Sequence, residues 1–212
     1  MDERIDNVLA HYDTLRDAER AQRDDPAAAR NRHTDRDRRL LAVGPETGRL
    51  INVLARSLTA PHILELGTAY GYSTIWLGEA ARAAGGHVTT MEMHAHKADH
   101  ARDMATKAGL NAYIDFRVGD AVEMIGALAE PIDFLLLDLW KDLYVPCLEA
   151  FHPKLAPGAI IVADNMLRPG GDSVQRYGEA VRARAGITSV LLPVGSGLEV
   201  SRFTPAQARD SG

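Results

Sequence analysis

Asp138, Lys141, Asp164 and Asn165 are the residues of this 212-residue chain whose types and spacing best suit chemistry. Asp138 closes the apolar run Ile132–Leu137, and Asp164-Asn165 closes a second run at 159–163. Runs this short, rich in Leu or β-branched residues and bounded by turn formers, suit strands buried on both faces of a parallel sheet. Ligands of such sheets sit outside the carboxyl ends of the strands. Two neighbouring strands would therefore deliver two carboxylates and an amide carbonyl to one rim. Three hard oxygen donors there suit Mg²⁺ or Ca²⁺, with positions left for water or substrate. Lys141, three residues past Asp138, reaches the same place. Singly, each Asp is more often a helix N-cap or an ordinary loop residue than a metal ligand. Jointly, with a lysine beside them, they point to a metal site.

A second constellation is Glu65-Leu66-Gly67-Thr68-Ala69-Tyr70-Gly71-Tyr72-Ser73, at the turn from a strand into a helix. Gly67 and Gly71 let the backbone pass close to a ligand, and the helix N-terminus beyond suits a carboxylate or phosphate. The spacing is G-x-x-x-G, with Ala69 where a dinucleotide fingerprint has its middle glycine. A small anion such as an amino-acid carboxylate fits this loop better than a pyrophosphate; plain turn glycines are the bland alternative. Glu92 ends the next strand, 27 residues after Glu65, where a carboxylate can accept both hydroxyls of a ribose. Asp120, after the third strand, is placed to meet an adenine edge and is equally well explained as an N-cap. His96 and His100 have the i, i+4 spacing of a zinc pair, with His94 nearby. They lack an acidic third ligand, and a solvent-facing helix is expected.

The elements that must carry these residues follow from periodicity. Ile5, Val8, Leu9, Tyr12 and Leu15 form one helical stripe. Residues 16–39 then lose apolar content, holding eight arginines and six acids with interleaved signs. That pattern predicts a solvated helix end and loop, an arm able to serve as a lid. Pro45 opens the next helix. Strand and helix then alternate: strands at 62–65, 87–92, 113–118, 132–137 and 159–163, helices from 72 to 84, 94–108, 120–128, 143–151 and 173–185, with Gly85-Gly86 closing the first. Strands at 188–194 and 198–203, joined by Gly195-Ser196-Gly197, predict a closing antiparallel hairpin. The sum is an α/β fold, a doubly wound Rossmann-like sheet of seven strands with helices on both faces. Residues 1–212 read as a single domain: an N-terminal helix and polar arm over 1–39, a core over 40–204 and a tail over 205–212.

Composition narrows the function classes. A net charge of −5 and no basic stripe argue against nucleic acid as a partner. The lone Cys147 excludes an internal disulfide framework and reads as a packing residue. No apolar run is long enough to span a membrane, and the first residues lack the order of a signal peptide. The expectation is a cytoplasmic protein with no membrane partner.

The motifs LAVGPETGRL, ILELGTAYGYS, LDLWKDLY, IVADNM with RPGG behind it, and VGSGLEVSRF together resemble the cation-dependent, S-adenosylmethionine-dependent O-methyltransferases, of both the catechol and the caffeoyl-CoA type. The resemblance implies O-methylation of one hydroxyl of a catechol-type, phenolic small molecule, with S-adenosylmethionine and Mg²⁺ or another divalent cation. It implies Asp138, Asp164 and Asn165 as metal ligands and Lys141 as general base. Val43, Glu65, Gly67, Gly71, Tyr72, Ser73, Glu92, Asp120, Ala121, Asp138 and Trp140 are the implied cofactor contacts. Leu41, Lys141, Asn165, Met166 and Pro169 are the implied substrate contacts, and a homodimer the implied assembly. Two positions depart from the pattern: Arg39 stands where an aromatic gatekeeper is expected, and Val190 where the catechol type has an acid. The rival readings are an NAD-dependent oxidoreductase, which lacks here a middle glycine and a Tyr-x-x-x-Lys pair, and a non-catalytic dimerisation module of the same fold.

Overall fold

The computed structural model describes residues 2–24 and 39–205. Most of the predicted arm, and the tail beyond residue 205, lie outside the described residues. Seven strands form one sheet: β1 His62–Leu66, β2 His87–Glu92, β3 Ile114–Val118, β4 Ile132–Leu137, β5 Leu155–Ala163, β6 Ile187–Leu192 and β7 Leu198–Phe203. Their order is β3-β2-β1-β4-β5-β7-β6. The first five are parallel, and β7 runs antiparallel to both β5 and β6. The order reverses beside β1, which creates the crevice where ligands of such sheets bind.

Among the described residues, seven helices cover the faces: α1 Glu3–Asp24, α2 Pro45–Arg56, α3 Tyr72–Ala84, α4 Ala95–Lys107, α5 Ala121–Gly126, α6 Tyr144–Phe151 and α7 Asp172–Arg182. Alternation along the strands divides the core into two layers. Ile63, Val88, Phe134, Leu136 and Val162 face α1 to α4, whereas Leu64, Leu66, Leu135, Leu137 and Ile161 face α5 to α7. Burial of each such side chain contributes about 1.5–3 kcal/mol.

The elements agree with the sequence reading except at their ends. Helix α1 continues to Asp24, well into the charged segment read as helix end and loop. Tyr113 belongs to a short 3₁₀ turn and not to β3. The hairpin link is also longer than Gly-Ser-Gly: β6 stops at Leu192, paired with Leu198. Pro193 has no N–H for the ladder, so the strand ends before it.

Candidate active site

The β4–β5 pairing sets Leu137 level with Ala163, so Asp138 and Asp164 leave the sheet in the same row. The Asp164 amide donates to Leu137 O at 3.1 Å. Asn165 follows with φ 61°, a left-handed turn that asparagine tolerates better than most residues. Its amide donates to Asp164 Oδ1 at 2.6 Å. Lys141 Nζ donates to Asp138 Oδ1 at 3.1 Å, to Leu139 O at 3.0 Å and to Tyr144 Oη at 2.8 Å. The structure thus brings the sequence-predicted donors and the lysine to one rim.

Two carboxylates share that rim with a single ammonium. Burial, joined by the charge of Asp138, pushes the Asp164 carboxyl up to about 8. Burial also raises Asp138, against the pull of Lys141. Asp164 is 1% exposed, and its Oδ2 is buried without a hydrogen-bond partner. A buried acceptor in this condition costs about 1–3 kcal/mol, more when charged. The donor set and the orphaned oxygen fit a hard divalent cation held by Asp138, Asp164 and Asn165.

The glycine loop is built by close approach. Gly67 has φ 101°, and a Cβ there would lie 2.2 Å from Asp138 O. The first loop is therefore packed directly against the turn that carries Asp138. Ala69 has φ 45°, so the place of the missing glycine keeps a glycine-like backbone at the cost of strain. Glu92 fastens this loop: its Oε2 accepts from the Ala69 amide at 2.9 Å and its Oε1 from the His94 amide at 3.0 Å. An ionised carboxylate has about four acceptor sites, so ribose hydroxyls remain within its capacity. Asp120 is an N-cap, accepting from the Glu123 amide at 3.0 Å through Oδ1.

Other predicted contacts lie at differing depths. Glu65 is fully buried beneath the loop, with Oε2 accepting from Thr74 and Thr90 hydroxyls at 2.6 Å each. Tyr72 directs its side chain to α1, where its hydroxyl donates to Asp13 at 3.1 Å. Gly71, Ser73 and Ala121 are buried, Val43 is partly buried against the layer that faces α1 to α4, and Met166 is almost covered. Leu41, Trp140 and Pro169 are exposed. Val190, at the acid's expected place, is 52% exposed on the edge strand. Of the histidines, His100 is not simply solvated: its ring packs against Tyr12 and Tyr70.

Three features escaped the sequence reading. Met93 and Val118 are exposed apolar residues at the carboxyl ends of β2 and β3, the rim that also carries Trp140 beyond β4. Their signal was their place beside Glu92 and Gly119. Tyr12 Oη donates to Tyr70 O at 2.5 Å, so α1 grips the glycine loop. Finally, His62, His87 and Glu130 hold ligand-type atoms within 4.8 Å of one another. This group lies at the amino ends of β1 and β2, opposite the rim. The two rings stack at 4.5 Å and 13°, so their in-plane lone pairs do not converge. His62 also uses both nitrogens, on Pro131 O and the Thr89 hydroxyl. It is a structural cluster.

Comparison with known proteins agrees with this geometry. A sequence family described as a methyltransferase domain matches residues 64–166. A catechol O-methyltransferase of Niastella koreensis is 34% identical over 134 residues, 61% of this chain and 60% of that protein. A probable O-methyltransferase of Mycobacterium tuberculosis is 31% identical over 184 residues, 82% of this chain and 76% of that protein. The chain thus spans under two thirds of the catechol O-methyltransferase and about three quarters of the second relative. Among solved structures, an O-methyltransferase from Bacillus cereus in complex with SAH superposes with a TM-score of 0.75 at 27% identity, covering 96% of this chain and 92% of that one.

Proposed function

Because this chain belongs to the class I S-adenosylmethionine-dependent O-methyltransferases, we propose that it methylates one hydroxyl of a catechol-type aromatic in a reaction that requires a divalent cation. The observation that carries this reading is the buried, unpartnered Asp164 Oδ2 beside Asp138 and Lys141. The name of the Niastella koreensis relative supports the catechol assignment. When bound, S-adenosylmethionine would supply an electrophilic methyl group, and a divalent cation would supply the Lewis acidity that makes a phenolic hydroxyl easier to deprotonate.

The chain's own residues do the rest. Asp138, Asp164 and Asn165 hold the cation. The loop from Gly67 to Ser73 binds the methionine end of the cofactor, and Glu92 takes the ribose. Met93, Val118 and Trp140 offer apolar surface to the adenine, and Asp120 keeps one oxygen for its amino edge. Lys141 accepts the proton from the attacking hydroxyl. Leu41, Met166 and Pro169 border the ring. With Val190 in place of an acid, the second hydroxyl has no carboxylate partner there, and loosened preference between the two hydroxyls follows. The assembly is proposed as a homodimer, which sedimentation at micromolar concentration checks: a monomer contradicts it.

The test is a screen of vicinal dihydroxy aromatics with labelled S-adenosylmethionine, with Mg²⁺ and with EDTA. Methylated product with Mg²⁺ alone is expected; equal product in EDTA contradicts the cation requirement. A mixture of meta and para products is expected from the Val190 departure.

A further inference from the structure

We propose that Tyr144 is a positioning residue for Lys141, keeping the amine in place when a divalent cation claims Asp138; the proposal rests on the methyltransferase reading above. Lys141 Nζ has three acceptors: Asp138 Oδ1 at 3.1 Å, Leu139 O at 3.0 Å and Tyr144 Oη at 2.8 Å. Asp138 is the one a cation would draw away. An amine that serves as a base keeps two N–H groups, and the two remaining acceptors match that number.

Those two acceptors are held differently. Leu139 O belongs to the turn after β4. Tyr144 is fully buried, its ring lies edge-on to Tyr177 at 5.3 Å, and Oη stands 3.0 Å from both Leu137 O and Asp164 O. Its single hydrogen serves those two carbonyls, one at the end of each ligand-bearing strand. The oxygen lone pair that faces Lys141 is thus set by the tips of β4 and β5 together. A ring hydroxyl anchored this way has no freedom to follow the lysine, so the lysine must come to it. In its protonated form Lys141, with Nζ 4.7 Å from the Tyr144 ring centroid, is also attracted to the same ring.

The removal of this hydroxyl has a defined consequence. Without Tyr144 Oη, Lys141 leans on Asp138 and competes with the cation for it. The experiment is Tyr144→Phe in the wild-type and in the Lys141→Met background, a double-mutant cycle on two groups in direct contact. Four quantities are read: the S-adenosylmethionine Kd by calorimetry, the Mn²⁺ Kd by electron paramagnetic resonance, and kcat and KM for a catechol with Mg²⁺.

Tyr144→Phe should lower kcat by about tenfold or more, in the range of lost acid–base positioning. S-adenosylmethionine Kd and catechol KM should stay within about twofold, showing a folded cofactor site, while Mn²⁺ binds several-fold more weakly. In the Lys141→Met background, Tyr144→Phe should change neither kcat nor Mn²⁺ affinity by more than about twofold. Tyr177→Phe removes a second buried hydroxyl from the same core, one that lacks a hydrogen-bond partner, and should leave kcat within about twofold. Equal losses in both backgrounds would show that Tyr144 acts through the strand tips and overturn the proposal. So would unchanged Mn²⁺ affinity in Tyr144→Phe. Failure of the wild-type enzyme to methylate any catechol contradicts the proposed function instead, and the Mn²⁺ comparison still decides the role of Tyr144.

Discussion

Asp164 is buried with one carboxylate oxygen unsatisfied, and the charge that acts on it most strongly is another carboxylate, Asp138. Asp164→Asn should therefore raise the melting temperature of the cation-free protein while lowering methyl transfer by about a hundredfold, the usual trade between stability and a strained site. Calorimetric melting in EDTA and an initial-rate assay check the two halves. The residue types of this site were legible in the sequence because two acids and an amide close two apolar runs, and parallel strands bring their carboxyl ends to one rim. The orphaned Oδ2, the left-handed turn at Asn165 and the hydroxyl of Tyr144 beneath the lysine were not. They depend on packing between β4, β5 and α6, which no local pattern encodes.

Helix α1 helps to hold the glycine loop in place. Tyr12 on α1 donates to Tyr70 O, and Leu40, beyond the arm, donates its amide to Glu19 at 2.6 Å. Tyr12→Phe should cost about 1 kcal/mol of stability, one hydrogen bond's worth, and weaken S-adenosylmethionine binding with little change in kcat; urea unfolding and calorimetry measure these. Gly67→Ala should be more severe, because its Cβ would meet Asp138 O at 2.2 Å and φ is 101°. Loss of cofactor binding with a lowered melting temperature is the expected outcome. At the far edge, Arg182 donates to the fully buried Glu199 at 2.9 and 2.5 Å. Arg182→Ala leaves Glu199 with the Ser189 hydroxyl as a remaining partner and should destabilise the fold by about 1–3 kcal/mol. The alternation of strands and helices was readable from periods of two and 3.6. The reach of α1 was hidden by its charged sequence, whose helix is held by Tyr12, Asp13 and Glu19 contacts and not by an apolar stripe alone.

Across the whole molecule, the two ends of the sheet have different electrostatics. The carboxyl ends carry crowded acids; the amino ends carry the stacked pair His62 and His87 with Glu130. Burial lowers the His62 pKa from its ordinary 6.5, reinforced by the charge of His87 and opposed by the Pro131 carbonyl, Glu130 and Asp133. A histidine lowered in the folded state binds fewer protons than in the unfolded chain. Its contribution to stability is thus complete above pH 6.5 and lost as pH falls below it. Urea unfolding at pH 8 and pH 5.5 should show a smaller acid loss for His62→Gln than for the wild type. Among the described residues no helix is long and apolar enough to cross a membrane.

The central claim is that Asp138, Asp164 and Asn165 together hold one divalent cation at the β4–β5 tips. Titration with Mn²⁺ followed by electron paramagnetic resonance, on the wild type and on Asp164→Ala, measures it without reliance on turnover. One ion bound per chain in the wild type, and none at the same concentrations in the variant, is the predicted result. Equal binding by both proteins would contradict the account.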